Sequence, residues 1–127
     1  MRSEKGQAIV ELALALSLLL VLGLGMVDVG RVLHAYLAAT NASREGCRVA
    51  ALGYNDSQVL AAVNASLGSL YREANLVVTV SPEKEQRVQG SPVKVEVKLE
   101  IPILFPGFGA FAEDPLPVVG ETTMRLE

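Results

Sequence analysis

The sequence predicts an α+β protein: a long N-terminal helix crosses a membrane and continues into a small domain. That domain is predicted to hold a short second helix and a three-stranded antiparallel sheet. Three observations lead to this prediction. An apolar run of helix length extends from Gln7 to Val27, and no proline interrupts the chain from Leu12 to Leu52. Apolar and charged residues then alternate from Val93 to Ile101, which is the pattern of a strand with one buried face.

The run from Gln7 to Val27 is long enough to span a bilayer. Its 21 residues would form a helix of about 31 Å, close to the thickness of the hydrocarbon core. The apolar region of a secretory signal is shorter and ends at a cleavage site of small residues, and no such site precedes Asp28 and Arg31. We therefore expect residues 7–27 to remain on the mature chain as a transmembrane segment.

Beyond the membrane the helix is predicted to continue over residues 28–52, with a stripe of small side chains along it. Small residues recur every four positions at Ala38, Ala42, Gly46 and Ala50, and a neighbouring row follows Ala35, Ala39, Ser43, Cys47 and Ala51. Such a stripe allows another backbone to approach closely. The alternative is an alanine-rich helix selected for helix propensity alone. We expect packing inside the monomer near Gly46, because the apolar face of the sheet needs a cover.

A turn at residues 53–57 separates this helix from the next. Gly53 suits the position just after a helix, and Asp56 or Ser57 suits the N-cap of the following one. A second helix is predicted over residues 57–73, since its apolar residues lie close to i, i+4, i+8 spacing. These residues are Val59, Leu60, Val63, Leu67, Leu70 and Tyr71.

Residues 76–127 are predicted to form the sheet. A first strand at 76–80 is joined by a polar hairpin loop, 81–91, to the central strand at 93–101. Because side chains alternate between the two faces of a strand, the five apolar residues of the central strand would lie on the core face and its four charged residues on the solvent-exposed face. The segment from Pro102 to Pro117 contains four prolines and three phenylalanines and is predicted to be irregular. A last strand over 118–127 closes the sheet.

Composition narrows the classes of function. The net charge is −3, the pI is about 5.2 and no basic patch occurs, which argues against a nucleic-acid partner. Cys47 is the only cysteine, so an internal disulfide is excluded; intermolecular pairing stays open, although a role as a small helix residue is favoured. His34 is the only histidine, so the chain alone cannot build a Cys/His metal cluster or a Ser-His-Asp triad. We expect no catalytic residue, no metal and no cofactor, hence a protein that is not an enzyme.

The remaining charged residues allow two simple interpretations. Asp28 and Arg31 stand three residues apart on the helix and could pair where it leaves the membrane. Ordinary unpaired charges at the membrane interface are an equal alternative. The charged run at Glu83, Lys84, Glu85 and Arg87 is predicted to be a solvated loop.

The N-terminal part of the chain combines three distinctive stretches: Gly6–Glu11, Gly30–Tyr36 and Asn41–Arg48. They read GQAIVE, GRVLHAY and NASREGCR. This combination resembles the TadE-like family, which comprises pseudopilins of the bacterial tight-adherence (Flp) pilus machinery. Leu12 stands where related pilins usually carry Phe, and Ser43 and Cys47 stand where the family often has Ala. A weaker likeness lies at the end of the chain, in its last strand.

The resemblance implies a pilin-like fold and a prepilin-type leader at residues 1–6. A prepilin peptidase would cut between Gly6 and Gln7, which leaves Glu11 as the fifth residue of the mature chain. A carboxylate at the centre of a bilayer helix costs about 2.5–3.5 kcal/mol, and less near the edge. The new α-amine of Gln7 would lie one helical turn from Glu11 and could neutralise it, within one chain or between neighbours. The alternative is that Glu11 reaches the cytoplasmic interface and needs no partner.

Two classes of function follow. The first is a pseudopilin that takes part in pilus assembly, whose partners would be the prepilin peptidase, other pilins or pseudopilins, inner-membrane assembly proteins and the lipid bilayer. The second is a membrane-tethered extracytoplasmic binding module that is neither processed nor polymerised. In either case Arg2 and Lys5 predict a single-pass protein of the inner membrane with a cytoplasmic N-terminus. Residues 28–127 would then form an extracytoplasmic domain.

Overall fold

The computed structural model describes residues 2–72 and 74–127. Met1, the first residue of the predicted leader, and Glu73, the predicted end of the second helix, lie outside the described residues. The architecture is α+β, as predicted. In chain order it comprises helices α1 (Arg2–Ala51) and α2 (Asp56–Leu67) and strands β1 (Val77–Ser81), β2 (Pro92–Ile101) and β3 (Leu116–Arg125). Short 3-10 turns occur at Ser69–Tyr71, Lys84–Gln86 and Phe108–Ala110.

Helix α1 has two halves with different surroundings. From residue 4 to residue 27 every residue is exposed except Gly25, which is half-buried. From Asp28 onward one face is buried, and Ala35, Ala39 and Ala42 are fully inaccessible. By length and composition the helix is long and apolar enough to cross a membrane. The first half therefore carries apolar side chains that the rest of the chain does not cover.

The sheet is antiparallel with β2 in the middle, in the order β1-β2-β3. Val97 of β2 stands opposite Val78 on one side and Gly120 on the other. The apolar residues of β2 are buried and the intervening lysines and glutamates are half-buried. On this second face Lys94 pairs with Glu121 of β3, with the Nζ and Oε2 atoms 2.6 Å apart. The alternation in the sequence thus correctly predicted which face is covered.

The core lies between the buried face of α1, helix α2 and one face of the sheet. Its members are small on α1 and larger elsewhere, with Val59 and Val63 from α2 and Val93, Val95 and Leu99 from β2. An ideal Cβ at Gly120 of β3 would lie 2.4 Å from the carbonyl carbon of Ala39 and 2.4 Å from the nitrogen of Thr40. The absence of a side chain at Gly120 therefore lets the helix backbone rest directly on β3.

Both ends of α2 differ from the prediction. The N-cap is Asn55 rather than Asp56 or Ser57. The Gln58 N–H donates to the Asn55 side chain at 3.0 Å, and the Asn55 N–H donates to the Gln58 side chain at 3.2 Å. The predicted end at residue 73 is wrong, because the helix stops at Leu67. Gly68 follows it with φ of +69°, a left-handed conformation that glycine adopts without strain, and a 3-10 turn takes the chain onward.

Strand boundaries shift slightly from those predicted. β1 covers Val77–Ser81 rather than 76–80, and β3 begins at Leu116 rather than at 118. The earlier start arises because Leu116 and Pro117 pair with Ile101 and Glu100 at the end of β2. β3 ends at Arg125, and the N–H of Glu127 then donates to the carbonyl of Ala51, where α1 ends.

Candidate functional site

The predicted processing site and Glu11 lie together at the uncovered end of α1. Helix α1 begins at Arg2, so the Gly6–Gln7 peptide bond lies inside regular helix. Gly6, Gln7 and Glu11 are all exposed, and a side chain at Gly6 would meet nothing within 4 Å. Glu11 forms no salt bridge with any residue that the structure describes. Four residues rise about 6 Å along a helix, so Glu11 stands one turn beyond Gln7.

A buried carboxylate marks the boundary between the two halves of α1. Asp28 is only 5% exposed. The Leu104 nitrogen lies 3.1 Å from both carboxylate oxygens, and the Phe105 nitrogen lies 2.8 Å from Oδ2. Arg31 completes the cluster: its Nη1 lies 3.3 Å from Asp28 Oδ1 and donates to the Pro102 carbonyl at 3.0 Å. Of the two alternatives that the sequence left open, the structure therefore shows the Asp28–Arg31 pair, and both residues also hold the segment that follows β2.

The electrostatic state of Asp28 follows from these contacts. Burial disfavours the charged carboxylate and on its own would raise the pKa. The N–H groups of Leu104 and Phe105 and the guanidinium of Arg31 act in the other direction and prevail, so the pKa of Asp28 lies below its ordinary value. Asp28 is therefore a carboxylate at neutral pH, and its charge is what the two amides bind.

The segment held by Asp28 carries the aromatic residues of the chain's longest connection. We call residues 102–115, between β2 and β3, the phenylalanine loop. Phe105 and Phe108 meet edge to face, with ring centroids 6.3 Å apart and planes at 79°. Both line a shallow groove of about 440 Å³ against the first half of α1, together with Val21, Leu22, Gly25, Met26 and Val29. Phe111 is 90% exposed.

A second apolar groove continues from the first one along α1. Its volume is about 650 Å³, and it is lined by Leu33 and Tyr36 of α1 and by Val119 at the outer edge of β3. Val29 and Phe108 line both grooves, so the two form one apolar surface along α1. Such a surface can contact lipid or another apolar helix, and it offers no cluster of polar groups for catalysis.

The predicted small-residue stripe faces the inside of the chain. Ala42, Gly46 and Ala50 are buried, and Ala38 is half-buried. An ideal Cβ at Gly46 would lie 2.7 Å from Val63 Cγ2, so α2 sits directly over this glycine.

The neighbouring row of small residues also contacts the sheet. Ser43 Oγ donates to the Thr40 carbonyl at 2.8 Å and lies 2.8 Å from the hydroxyl of Thr122 in β3. Cys47 donates to the Val93 carbonyl, with the Sγ and O atoms 3.3 Å apart, and burial raises the pKa of its thiol. Cys47 is therefore a packed thiol inside the monomer.

Two polar residues have contacts that the sequence did not indicate. His34 hydrogen-bonds through Nδ1 to the hydroxyl of Tyr71, and their rings stack with centroids 5.9 Å apart. Arg87 was predicted to lie in a solvated loop, which is wrong for its side chain, since that side chain is only 4% exposed. It pairs with Asp56 at the start of α2 and donates from Nε to the Pro82 carbonyl at 3.0 Å. Nothing in the sequence indicates this burial, because Arg87 stands in a polar loop among other charged residues.

Within residues 2–72 and 74–127, no group of three or more His, Cys, Asp or Glu side chains is arranged to hold a metal ion. A third groove, of about 800 Å³, is lined by Arg31, His34, Tyr71 and Glu100 among others. Its polar groups largely satisfy each other or the adjoining backbone, through the His34–Tyr71 and Arg31–Pro102 hydrogen bonds.

Comparison with known proteins gives a family-model match for the N-terminal part of the chain. Residues 6–48 match the family model described as TadE-like protein. The match begins at Gly6 and includes Glu11, Gly30–Tyr36 and Asn41–Arg48, so it confirms the resemblance found in the sequence. It covers about a third of the chain. Comparisons with curated proteins and with solved structures gave no match.

Proposed function

We propose that the chain is a pseudopilin of the tight-adherence pilus system, anchored in the bacterial inner membrane by residues 7–27. One observation carries the proposal. The segment that matches the TadE-like family includes nearly all of the half of α1 that the chain leaves largely exposed. An uncovered apolar helix of this length requires either lipid or other helices around it. The helix of a pilus subunit is surrounded by lipid while the subunit is in the membrane and by the helices of other subunits once it is in an assembly.

Processing would convert the membrane form into the assembly form. The leader, residues 1–6, would be removed by a prepilin peptidase between Gly6 and Gln7. Because this bond lies inside regular helix, the peptidase would have to unwind the first turns of α1 or bind the chain before they form. Cleavage would create a positively charged amine at Gln7, one turn from Glu11, and this amine could pair with Glu11 of the same chain or of a neighbouring subunit.

The orientation proposed for the chain follows from charge. Arg2 and Lys5 precede the span and would keep the N-terminus in the cytoplasm, so the domain from residue 28 onward would be extracytoplasmic. Gln89 is exposed in the β1–β2 connection, whereas Cys47 is fully buried. Gln89→Cys should therefore react with a membrane-impermeant maleimide in intact spheroplasts. Labelling that needs lysis would reverse the orientation.

The N-terminus of the protein isolated from membranes tests the pseudopilin assignment. Intact mass should show the loss of residues 1–6, and Gly6→Leu should retain them. Gly23→Leu is a matched control, because Gly23 is an equally open glycine of the same helix and lies far from the cleaved bond. A mature wild-type chain that still begins at Met1 would contradict processing and favour the membrane-tethered binding module.

A further inference from the structure

The phenylalanine loop reaches the part of α1 that is predicted to lie in the membrane. Phe105 and Phe108 share a groove with Val21 and Leu22. Val21 precedes Val27, the predicted end of the span, by six residues, which corresponds to about 9 Å along a helix. If residues 7–27 span the bilayer, the loop therefore lies beside the helix at the depth of the headgroups and the outermost acyl chains.

The composition of the loop fits that depth. Residues 102–112, which read PILFPGFGAFA, contain no charged side chain. Phe111 is 90% exposed and Leu104 is 54% exposed, so the loop presents large apolar side chains that the domain does not bury. The two acidic residues, Glu113 and Asp114, come only after this run, where the chain returns to β3. Apolar and aromatic side chains of this kind are favoured at a membrane interface and disfavoured in water.

Most backbone N–H groups of residues 102–112 are already hydrogen-bonded, which suits a medium that lacks water. An unpaired N–H group is costly in lipid. In the loop the N–H groups of Leu104 and Phe105 bind Asp28, and that of Ile103 binds Asp114. Further N–H groups bond within the loop, from Phe108 to the Phe105 carbonyl and from Phe111 and Ala112 to the Phe108 carbonyl. Prolines at 102 and 106 have no N–H to satisfy.

We propose that the phenylalanine loop inserts into the surface of the lipid bilayer beside α1 and gives the domain a second membrane contact. This inference rests on the membrane-spanning role proposed above for residues 7–27. Asp28 fixes the loop to the helix just outside the span, so the loop and the end of the span enter the same leaflet. The lipid surface is favoured over a protein partner because the groove is continuous with the lipid-facing half of α1.

Tryptophan quenching tests the proposal in the full chain, which has no tryptophan of its own. Phe111→Trp is reconstituted in vesicles of phosphatidylcholine and phosphatidylglycerol, and brominated phosphatidylcholine then replaces the ordinary lipid. Leu18→Trp, in the middle of the span, is the positive control. Tyr54→Trp, an exposed position beyond the far end of α1, is the negative control. Leu104→Trp is a second reporter in the loop should Phe111→Trp fail to fold.

We expect Phe111→Trp to emit at shorter wavelength than Tyr54→Trp and to lose emission with brominated lipid, approaching the loss at Leu18→Trp. Quenching at Leu18→Trp without quenching in the loop would overturn this inference alone. Blue-shifted loop emission that resists brominated lipid would mean that a protein surface covers the loop, which also overturns it. An unquenched Leu18→Trp would overturn the membrane anchor and, with it, this inference.

Discussion

Gly120 of β3 lies against the backbone of Ala39 in α1 so closely that a Cβ at position 120 would be 2.4 Å from the Ala39 carbonyl carbon. This contact fixes the distance between the long helix and the sheet. Because the atoms in the way belong to a helix backbone, they cannot move aside as a side chain could. The whole helix would have to shift away from β3, and this shift would disturb the hydrogen bond between Ser43 of α1 and Thr122 of β3.

Gly120→Ala should therefore destabilise the domain. Overpacking of a core costs about 1–3 kcal/mol, and the upper part of that range is expected where backbone is displaced. The measurement is thermal unfolding of the full chain in detergent micelles, followed by near-ultraviolet circular dichroism. Gly109→Ala is the matched control, since a side chain there meets nothing within 4 Å. Equal melting temperatures for the two variants would contradict the close contact.

Gly46→Leu tests where the small-residue stripe packs. Val63, Val95 and Val59 surround this glycine within 2.7 to 3.4 Å of an ideal Cβ, so a leucine would push α2 and the sheet away from α1. We expect a loss of unfolding free energy of about 1–3 kcal/mol or more. Gly30→Leu, at an open position of the same helix, should leave stability unchanged. An unchanged melting temperature with lost association to a partner pseudopilin would instead assign the stripe to an interface between subunits.

Asp28 should make the attachment of the phenylalanine loop depend on pH. Its folded-state pKa is lowered, so its contribution to stability is complete above the unfolded pKa, near 3.8, and is lost as the pH falls through the folded value. Hydrogen exchange at the Leu104 and Phe105 amides should be slow in the wild type at neutral pH and faster in Asp28→Asn.

Comparing the wild type with Asp28→Asn as the pH falls separates the effect of neutralising Asp28 from the general effects of low pH on the protein. As the pH falls through the lowered folded-state pKa, the protection of the wild-type loop amides, taken relative to their intrinsic exchange rate at each pH, should approach that of Asp28→Asn, whose own protection should change little. Glu45→Gln is a suitable control, because Glu45 also has a lowered pKa but owes it to a surface pair with Arg48. Identical loop exchange in the wild type and Asp28→Asn at neutral pH would mean that the carboxylate does not hold the loop.

The sequence predicts those parts of the fold that depend on local pattern. Alternation in β2 identified its buried face, and the apolar run together with the absence of proline identified α1 over nearly its whole length. The end of α2 was missed because Leu70 and Tyr71 continue the apolar spacing, whereas Gly68 adopts a left-handed conformation and ends the helix.

Features that arise from distant contacts left no readable pattern. Asp28 is separated from Leu104 by 76 residues, so nothing near it in the sequence indicates that its partners are backbone amides. Gly120 looks like an ordinary glycine in a strand until α1 is placed upon it. At the N-terminus the situation is the reverse. Gly6, Gln7 and Glu11 stand out in the sequence by their resemblance to pilins, whereas among the described residues they have no side-chain hydrogen bond or salt bridge from which a role could be inferred.

Glu11 is expected to matter for assembly rather than for folding. Glu11→Leu removes a carboxylate from an apolar helix, so membrane insertion should be unchanged or improved. If the Gln7 amine of a neighbouring subunit pairs with Glu11, the same change should abolish incorporation into an assembly, and Glu11→Gln should also be defective because it lacks the charge.

Ser17→Ala is a matched control. Ser17 is a polar residue of the same span whose hydroxyl already donates to the Ala13 carbonyl at 2.8 Å, so its loss should be tolerated. The measurement is the yield of pili from strains that express each variant at equal membrane levels. Normal pili from the Glu11→Leu strain would leave only the account in which Glu11 reaches the cytoplasmic interface without a partner.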